Sequence, residues 1–303
     1  MRAVLCRDFS GPDHLELGEA PEPQPAEDEI LIDVHAASVT TEAAGVVVRV
    51  GSKVTRFKPG DRAACLNWIG GFGERMVAKE WKSVRIPDAV SFESAATVIH
   101  SYDTAYYALV LRAQLRAGET VVVTGAGGGV GMAAFDVARH LGGRVIAAVG
   151  SDRHATALRE HGVSEIVNYS TEKLRERLKE LTNGRGIDVC FDNVGGSMFE
   201  ELARSMNWGG RLLPIGFTSG EVPKLPMNLP LLKNFSIIGV FAGAWEDKEP
   251  DAARLAKETL MEWVADGRIR PHVGLVLPLE RIGEAMAAIG GRTSSGRVVM
   301  KVK

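Results

Sequence analysis

The stretch VVVTGAGGGVGMAAF, residues 121 to 135, constrains the fold more than any other segment. Val121 to Val123 read as a buried strand, and Val130, Ala134, Val137 and Leu141 recur at helical spacing, as a helix packed on a sheet requires. Between them lie Gly125, Gly127, Gly128, Gly129 and Gly131. Glycine admits positive φ and lets another group approach the backbone closely. The first N–H groups of a helix have no intrahelical acceptor, and the helix dipole favours negative charge there. A strand, a glycine turn and a helix in this order form a cradle for a pyrophosphate. The spacing is Gly125-x-x-Gly128-x-x-Gly131, not the usual G-x-G-x-x-G, so its position in the chain has to carry the reading.

That position is the start of an alternating series. TVVVTG, RVIAAVG, EIVNY, GIDVCFDNVG, RLLPIGF and FSIIGVFA read as strands, and GMAAFDVARHLG, DRHATALREHG, TEKLRERLKELTNG and SMFEELARSMNWGG read as helices between them. The alternation predicts a doubly wound parallel α/β sheet with helices on both faces. Residues 1 to about 95 are richer in strand patterns, with EILIDVHAASV, AAGVVVRVGSKV and ERMVAKEWKSVRIP, a Pro-Gly-Asp turn at KPGDRA, and a helix start at Ser91. From about Ala242 the chain reads as helix, and the closing GRVVMKVK reads as a strand that rejoins the first region.

The end of the second α/β strand bears on which dinucleotide is held. Folds that select NAD place Asp or Glu there to bind the ribose hydroxyls. Here the tip reads Val149-Gly150, followed at once by Ser151, Arg153 and His154. An acid-free tip with a cation and two hydrogen-bonding groups predicts NADP(H), the 2′-phosphate lying near Ser151, Arg153 and His154; Asp152 is the one residue of opposite sign there.

The 303 residues carry a net charge of −2, with 45% hydrophobic and 24% charged residues. This gives no electrostatic basis for binding nucleic acid or an anionic membrane. No run of about 18 apolar residues marks a transmembrane span, and no apolar leader core opens the chain. Cys6, Cys65 and Cys190 are far apart and odd in number, which predicts buried thiols in a reducing, cytoplasmic compartment. No Cys/His spacing fits zinc, so no metal is expected.

The segments EAAGVVVRVGSKVTRFKPGDRA, AAFDVARHLGGRVIAAVGS, FDNVGGSMFEELARSMNWGGRLLPIGF and GRVVMKVK resemble the zinc-independent quinone oxidoreductase branch of the medium-chain dehydrogenase/reductase superfamily. The resemblance implies a GroES-like, mainly β catalytic domain from residues 1–99 and 243–303, a Rossmann domain at 100–242, and NADPH in the cleft between them. It puts Gly125 to Gly131, including Gly128, Gly129 and Val130, on the pyrophosphate, and Ser151, His154 and Tyr169 on the adenosine phosphate. It also implies Asn193, Gly216, Phe217 and Phe241 beside the ribose and nicotinamide, Thr104 near the nicotinamide, and Arg297 where a Lys near the cofactor is common.

Zinc-dependent relatives carry Cys and His where this chain has Thr40 and Thr41. Relatives also have a couple of dozen residues between HAASV and EAAGVV, whereas this chain passes from Val39 through Thr40 and Thr41 to Glu42. The two strands are still expected to form a hairpin. The reading is NADPH-dependent reduction of a quinone or an α,β-unsaturated carbonyl compound, with no catalytic residue assigned. Tyr102, Asn67 and Trp68 are cleft candidates by position alone. The alternatives are a non-catalytic NADPH-binding protein and an enoyl thioester reductase. The apolar segment NFSIIGVFAG, read as an edge strand, points to a homodimer.

Overall fold

The computed structural model describes residues 1–303 except 9, 10, 12, 13 and 41. The chain divides into two compact units, Met1–Asp103 with Trp245–Lys303, and Thr104–Ala244.

The first unit opens with the paired strands β1 (Arg2–Cys6) and β2 (Leu15–Glu19). Then come β3 (Glu29–Ser38), β4 (Glu42–Val50), β5 (Arg62–Leu66), β6 (Arg75–Lys79) and β7 (Ser83–Arg85). β3 and β4 pair antiparallel up to Ala37 opposite Ala43, so the short passage through Thr40 closes a hairpin as expected. Lys58 to Asp61 make the turn before β5, with Gly60 at φ +93°, a conformation glycine adopts without strain. One face of β3 carries Ile30, Ile32 and Val34, which pack with Phe57, Met76 and Met300 in one core, while Leu31 on the other face is buried as well. Helix α1 (Phe92–Tyr106) starts at Ser91, whose Oγ accepts the Ser94 N–H at 3.1 Å, and continues as a π-helical segment from Tyr107 to Arg112.

In the second unit the chain runs β8 (Thr120–Thr124), α2 (Gly129–His140), β9 (Arg144–Val149), α3 (Asp152–Glu160), β10 (Glu165–Asn168), α4 (Leu174–Leu181), β11 (Ile187–Asp192), α5 (Met198–Ser205), β12 (Met206–Pro214), α6 (Asn228–Lys233) and β13 (Ser236–Ile237). The strands order β10-β9-β8-β11-β12-β13 and all neighbours are parallel. The chain winds outward from β8 to β10, then returns to lay β11 on the other side of β8. Direction therefore reverses between β8 and β11, and a ligand crevice forms outside the carboxyl ends of the strands at such a point. On α2, Ala134 and Val137 are fully buried as the spacing predicts, while Val130 and Leu141 are half-buried.

The chain returns to the first unit through α7 (Ala242–Lys248) and α8 (Pro250–Ala265), then β14 (Val273–Pro278), α9 (Ile282–Gly290) and β15 (Arg297–Lys301). β15 joins β3 antiparallel, so the tail does rejoin the first sheet, whose order is β14-β15-β3-β4-β5-β7 with β6 beside β3.

Three local expectations need correction. The helix read through Gly210 ends at Ser205, because Met206 turns extended (ψ 143°) and pairs with Ile187. The edge strand read along NFSIIGVFAG shrinks to Ser236–Ile237, although it does lie at the sheet edge. Cys65 and Cys190 are buried as expected, but Cys6 is exposed.

Candidate functional site

The glycine turn sits at the reversal point. Gly125 leaves β8 at φ +58°, Gly128 is the N-cap of α2, and the Gly128 N–H is taken by Gly125 O at 3.1 Å. The N–H groups of Gly129, Val130 and Gly131 form the first turn of α2, ahead of any intrahelical acceptor. The glycines have different local reasons. A Cβ on Gly131 would lie 2.4 Å from Gly125 O and 2.6 Å from Ala126 Cα, so backbone packing demands glycine there. A Cβ on Gly127 would meet the His154 side chain at 2.6 Å. A Cβ on Gly128 would find nothing nearer than Gly125 O at 3.5 Å, so no internal packing accounts for glycine at that position.

The tip of β9 is shaped by Tyr169. Any Cβ on Gly150 would lie 2.9 Å from the Tyr169 ring, so this position admits no acidic side chain while Tyr169 keeps its place. Ser151 is the N-cap of α3: its Oγ accepts the His154 N–H at 3.4 Å and lies 3.0 Å from His154 Nδ1. Asp152, the acid that opposed a phosphate, accepts a hydrogen bond from Asn168 Nδ2 at 2.8 Å. Arg153 is exposed on the first turn of α3.

Across the reversal point a buried polar node ties β8 to β11. Thr124 Oγ1 donates to Asp192 Oδ1 at 2.5 Å and accepts the Asn193 N–H at 2.9 Å. Asn193 Nδ2 donates to Thr124 O at 2.8 Å. Asp192 also accepts the N–H groups of Val194 and Gly195, both at 3.1 Å. Burial holds the Asp192 carboxyl above the ordinary carboxylate range, against the lowering effect of these hydrogen bonds. The node sets Asn193 beside Gly125 and brings up the end of β12, where Gly216 N–H donates to Asp192 O. Phe217 is 44% exposed and lies against Gly195.

Gly125, Gly128, Gly129, Val130, Gly131, Ser151, Arg153, His154, Tyr169, Asn193, Gly216 and Phe217 therefore gather around the carboxyl ends of β8, β9, β11 and β12. Three further candidates lie on other segments of the chain. Thr104 is buried on α1, and Phe241 is 75% exposed just before α7. Arg297 lies in the first unit, with Nη1 on Thr40 Oγ1 at 2.6 Å and Nη2 at 3.5 Å from Glu42 Oε1. Sequence reading missed Thr124 and Asp192; the only local signal was a polar residue at each strand end.

The candidates named by position alone are Asn67, Tyr102 and Trp68. Asn67 Nδ2 donates to Val77 O at 2.8 Å, and Tyr102 is 2% exposed. Trp68 is 74% exposed.

The architecture, a parallel Rossmann sheet in one unit and a separate antiparallel-rich sheet built from both chain ends in the other, is that of the medium-chain dehydrogenases/reductases. A zinc-binding dehydrogenase family model matches residues 129–258. Mouse quinone oxidoreductase-like protein 2 is 34% identical, the match covering 100% of this chain and 92% of the relative. Human quinone oxidoreductase is 29% identical over 99% of this chain and 97% of its own length. The crystal structure of Escherichia coli quinone oxidoreductase complexed with NADPH superimposes with a TM-score of 0.90 at 26% identity, covering 100% of both chains. The chain belongs to the quinone oxidoreductase branch of that superfamily, and is by family an oxidoreductase.

Proposed function

We propose that this protein is an NADPH-dependent, zinc-independent reductase of quinones or α,β-unsaturated carbonyl compounds. The observation that carries the reading is the tip of β9, where Tyr169 shuts out an acid at Gly150 and the Ser151–His154 pair stands against Gly127 of the glycine turn. The residues present fit the cofactor: first-turn N–H groups at Gly129 to Gly131 for the pyrophosphate, a Gly128 whose missing side chain no protein atom replaces, and Ser151, Arg153, His154 and Tyr169 for the adenosine phosphate. The similarity to a quinone oxidoreductase complexed with NADPH supports the same assignment. Bound NADPH would supply a hydride to an electrophilic carbon or a quinone oxygen. Asn193, fixed by Thr124, and Gly216 and Phe217 are assigned to the ribose and nicotinamide side; Thr104, Phe241 and Arg297 are retained there on resemblance alone.

The metal-free reading rests on the donor set. Thr40 offers a hydroxyl where zinc-dependent relatives have a thiolate, and that hydroxyl is engaged by Ser38, Glu42 and Arg297. Thr41, at the other ligand position, lies outside the described residues. Three cysteines without a disulfide support a cytoplasmic location. Exposed Leu231 and Leu232 on α6 and Ile237 on the edge strand β13 support a homodimer, which light scattering would test.

The test is to measure dissociation constants for NADPH and NADH, then NADPH oxidation with benzoquinone, phenanthrenequinone and an enone panel. Tighter NADPH binding with turnover is expected; tighter NADH binding would refute the cofactor assignment. A second reading, NADPH binding without catalysis, draws on one observation. The match to the mouse relative runs over 326 positions against 303 residues here, and the β3–β4 hairpin closes within a few residues of Ser38. Binding without turnover on any acceptor would select it.

A further inference from the structure

The second unit carries another cavity, of about 330 Å³, at the opposite end of the sheet from the glycine turn. It opens where β11 and β12 begin and where α4, α5 and α6 end. Arg175, Lys179, Arg185, Arg204 and Lys233 line it with Trp208, and no Asp or Glu is among its described lining residues. The whole chain has a net charge of −2, so general basicity does not explain this concentration.

Two of the five cations have carboxylate partners: Arg185 pairs with Asp188 at 2.6 Å and Arg204 with Glu200 at 2.5 Å. Arg175, Lys179 and Lys233 have no carboxylate partner among the described residues; Lys233 Nζ donates to Arg204 O at 2.6 Å. Helix ends explain part of this arrangement. Lys179, Arg204 and Lys233 each lie in the last turn of a helix, where a cation complements the dipole. Arg175 does not fit that account. It stands in the first turn of α4, where the dipole disfavours a cation, and near Lys233, whose pKa is pulled below the ordinary lysine range by burial and then by Arg175. An arginine placed against both the dipole and a neighbouring cation is stabilised when an anion enters.

Trp208 supplies the second element. It is 71% exposed, at the cavity wall rather than in a core, and exposed tryptophan faces are stacking platforms for flat rings. The volume lies in the range of small-molecule sites, roughly 300–1,000 Å³. We propose that this cavity binds a nucleoside monophosphate, its phosphate on Arg175, Lys179 and Lys233 and its base on Trp208. The proposal uses none of the residues assigned to the dinucleotide, although Arg175, Lys179 and Arg204 also line a neighbouring cavity that extends to Tyr169.

The experiment is calorimetric titration of the full chain with adenosine monophosphate and, separately, with inorganic phosphate at low and physiological salt. The double charge reversal Arg175→Glu/Lys179→Glu alters exposed side chains, and an unchanged melting temperature confirms folding. It should weaken nucleotide affinity by about tenfold or more. Trp208→Ala should weaken the nucleotide by about tenfold, within the range measured for base stacking, and leave phosphate unaffected. His154→Ala, at the other end of the sheet, should leave this binding unchanged. No nucleotide binding at millimolar concentration would overturn the proposal. So would binding that survives charge reversal but is lost in His154→Ala, phosphate binding as tight as nucleotide binding, or displacement by an oligoglutamate peptide of higher affinity.

Discussion

Lys257 Nζ lies 3.3 Å from Asp103 Oδ2 and 3.3 Å from Glu246 Oε1, with all three side chains almost wholly buried. Asp103 and Glu246 stand beside the two places where the chain leaves and re-enters the first unit. Replacing Lys257 with Met would leave two carboxyls buried without a counter-charge. Breaking such a cluster costs about 3–5 kcal/mol, so Lys257→Met should unfold at a much lower urea concentration than the parent protein.

Burial holds the Asp103 carboxyl well above the ordinary carboxylate range, with the Lys257 ammonium opposing and Glu246 adding to the rise. The native state therefore keeps a proton that the unfolded chain releases. The stability from that proton is full below the unfolded value, about 3.9, and is lost as pH rises through the folded value. Asp103→Asn removes this titration. Urea denaturation across pH should show the parent protein losing stability relative to Asp103→Asn as pH increases; parallel curves would refute the assignment.

Gly128 and Gly131 separate binding from folding. Gly131→Ala forces a Cβ to within 2.6 Å of backbone atoms on both Gly125 and Ala126, so melting temperature and NADPH affinity should fall together. Gly128→Ala meets no atom closer than 3.5 Å, so stability should stay within about 0.5 kcal/mol of the parent. The added methyl enters the space assigned to the pyrophosphate, and calorimetry should show NADPH affinity weakened about tenfold.

The parts legible in the sequence were those written in neighbouring residues. Glycine spacing located the turn, alternation along Ile30, Ile32 and Val34 located a core strand, and Val149-Gly150 showed an acid-free tip. The reason for Gly150 was not legible, because Tyr169 reaches it from the next strand end. Thr124 and Asp192 meet across 68 residues, and Lys257 finds its partners from α1 and α7. Such pairings follow from strand order and helix docking, which no local pattern encodes. The helix expected through Gly210 failed for the same reason: pairing of Met206 with Ile187 overrode a continuous helical pattern.

Arg297 and Glu42 make a second buried pair, and its neighbour His100 reports on it. Glu42 Oε1 accepts the His100 N–H at 3.0 Å and faces Arg297 Nη2. The His100 pKa is held below the ordinary histidine value mainly by burial; Glu42 raises it and Arg297 lowers it. Removing the cation in Arg297→Met should raise the His100 pKa, which NMR titration of the ring protons would follow. A fall would show that Glu42 had itself become protonated.

The cysteines give a direct check on burial. Burial pushes the Cys65 thiol up to about 12 and the Cys190 thiol also well above its usual value, the latter with help from Asp192. Cys6 is exposed, with Sγ donating to Asp8 O at 2.9 Å. The thiolate is the reactive form, so an aromatic disulfide reagent at mildly alkaline pH should label one thiol per native chain. Mass spectrometry should place that label on Cys6, and all three thiols should react once urea unfolds the chain. Rapid native labelling of Cys65 would contradict the position of β5, where this thiol is sealed between β4 and β7.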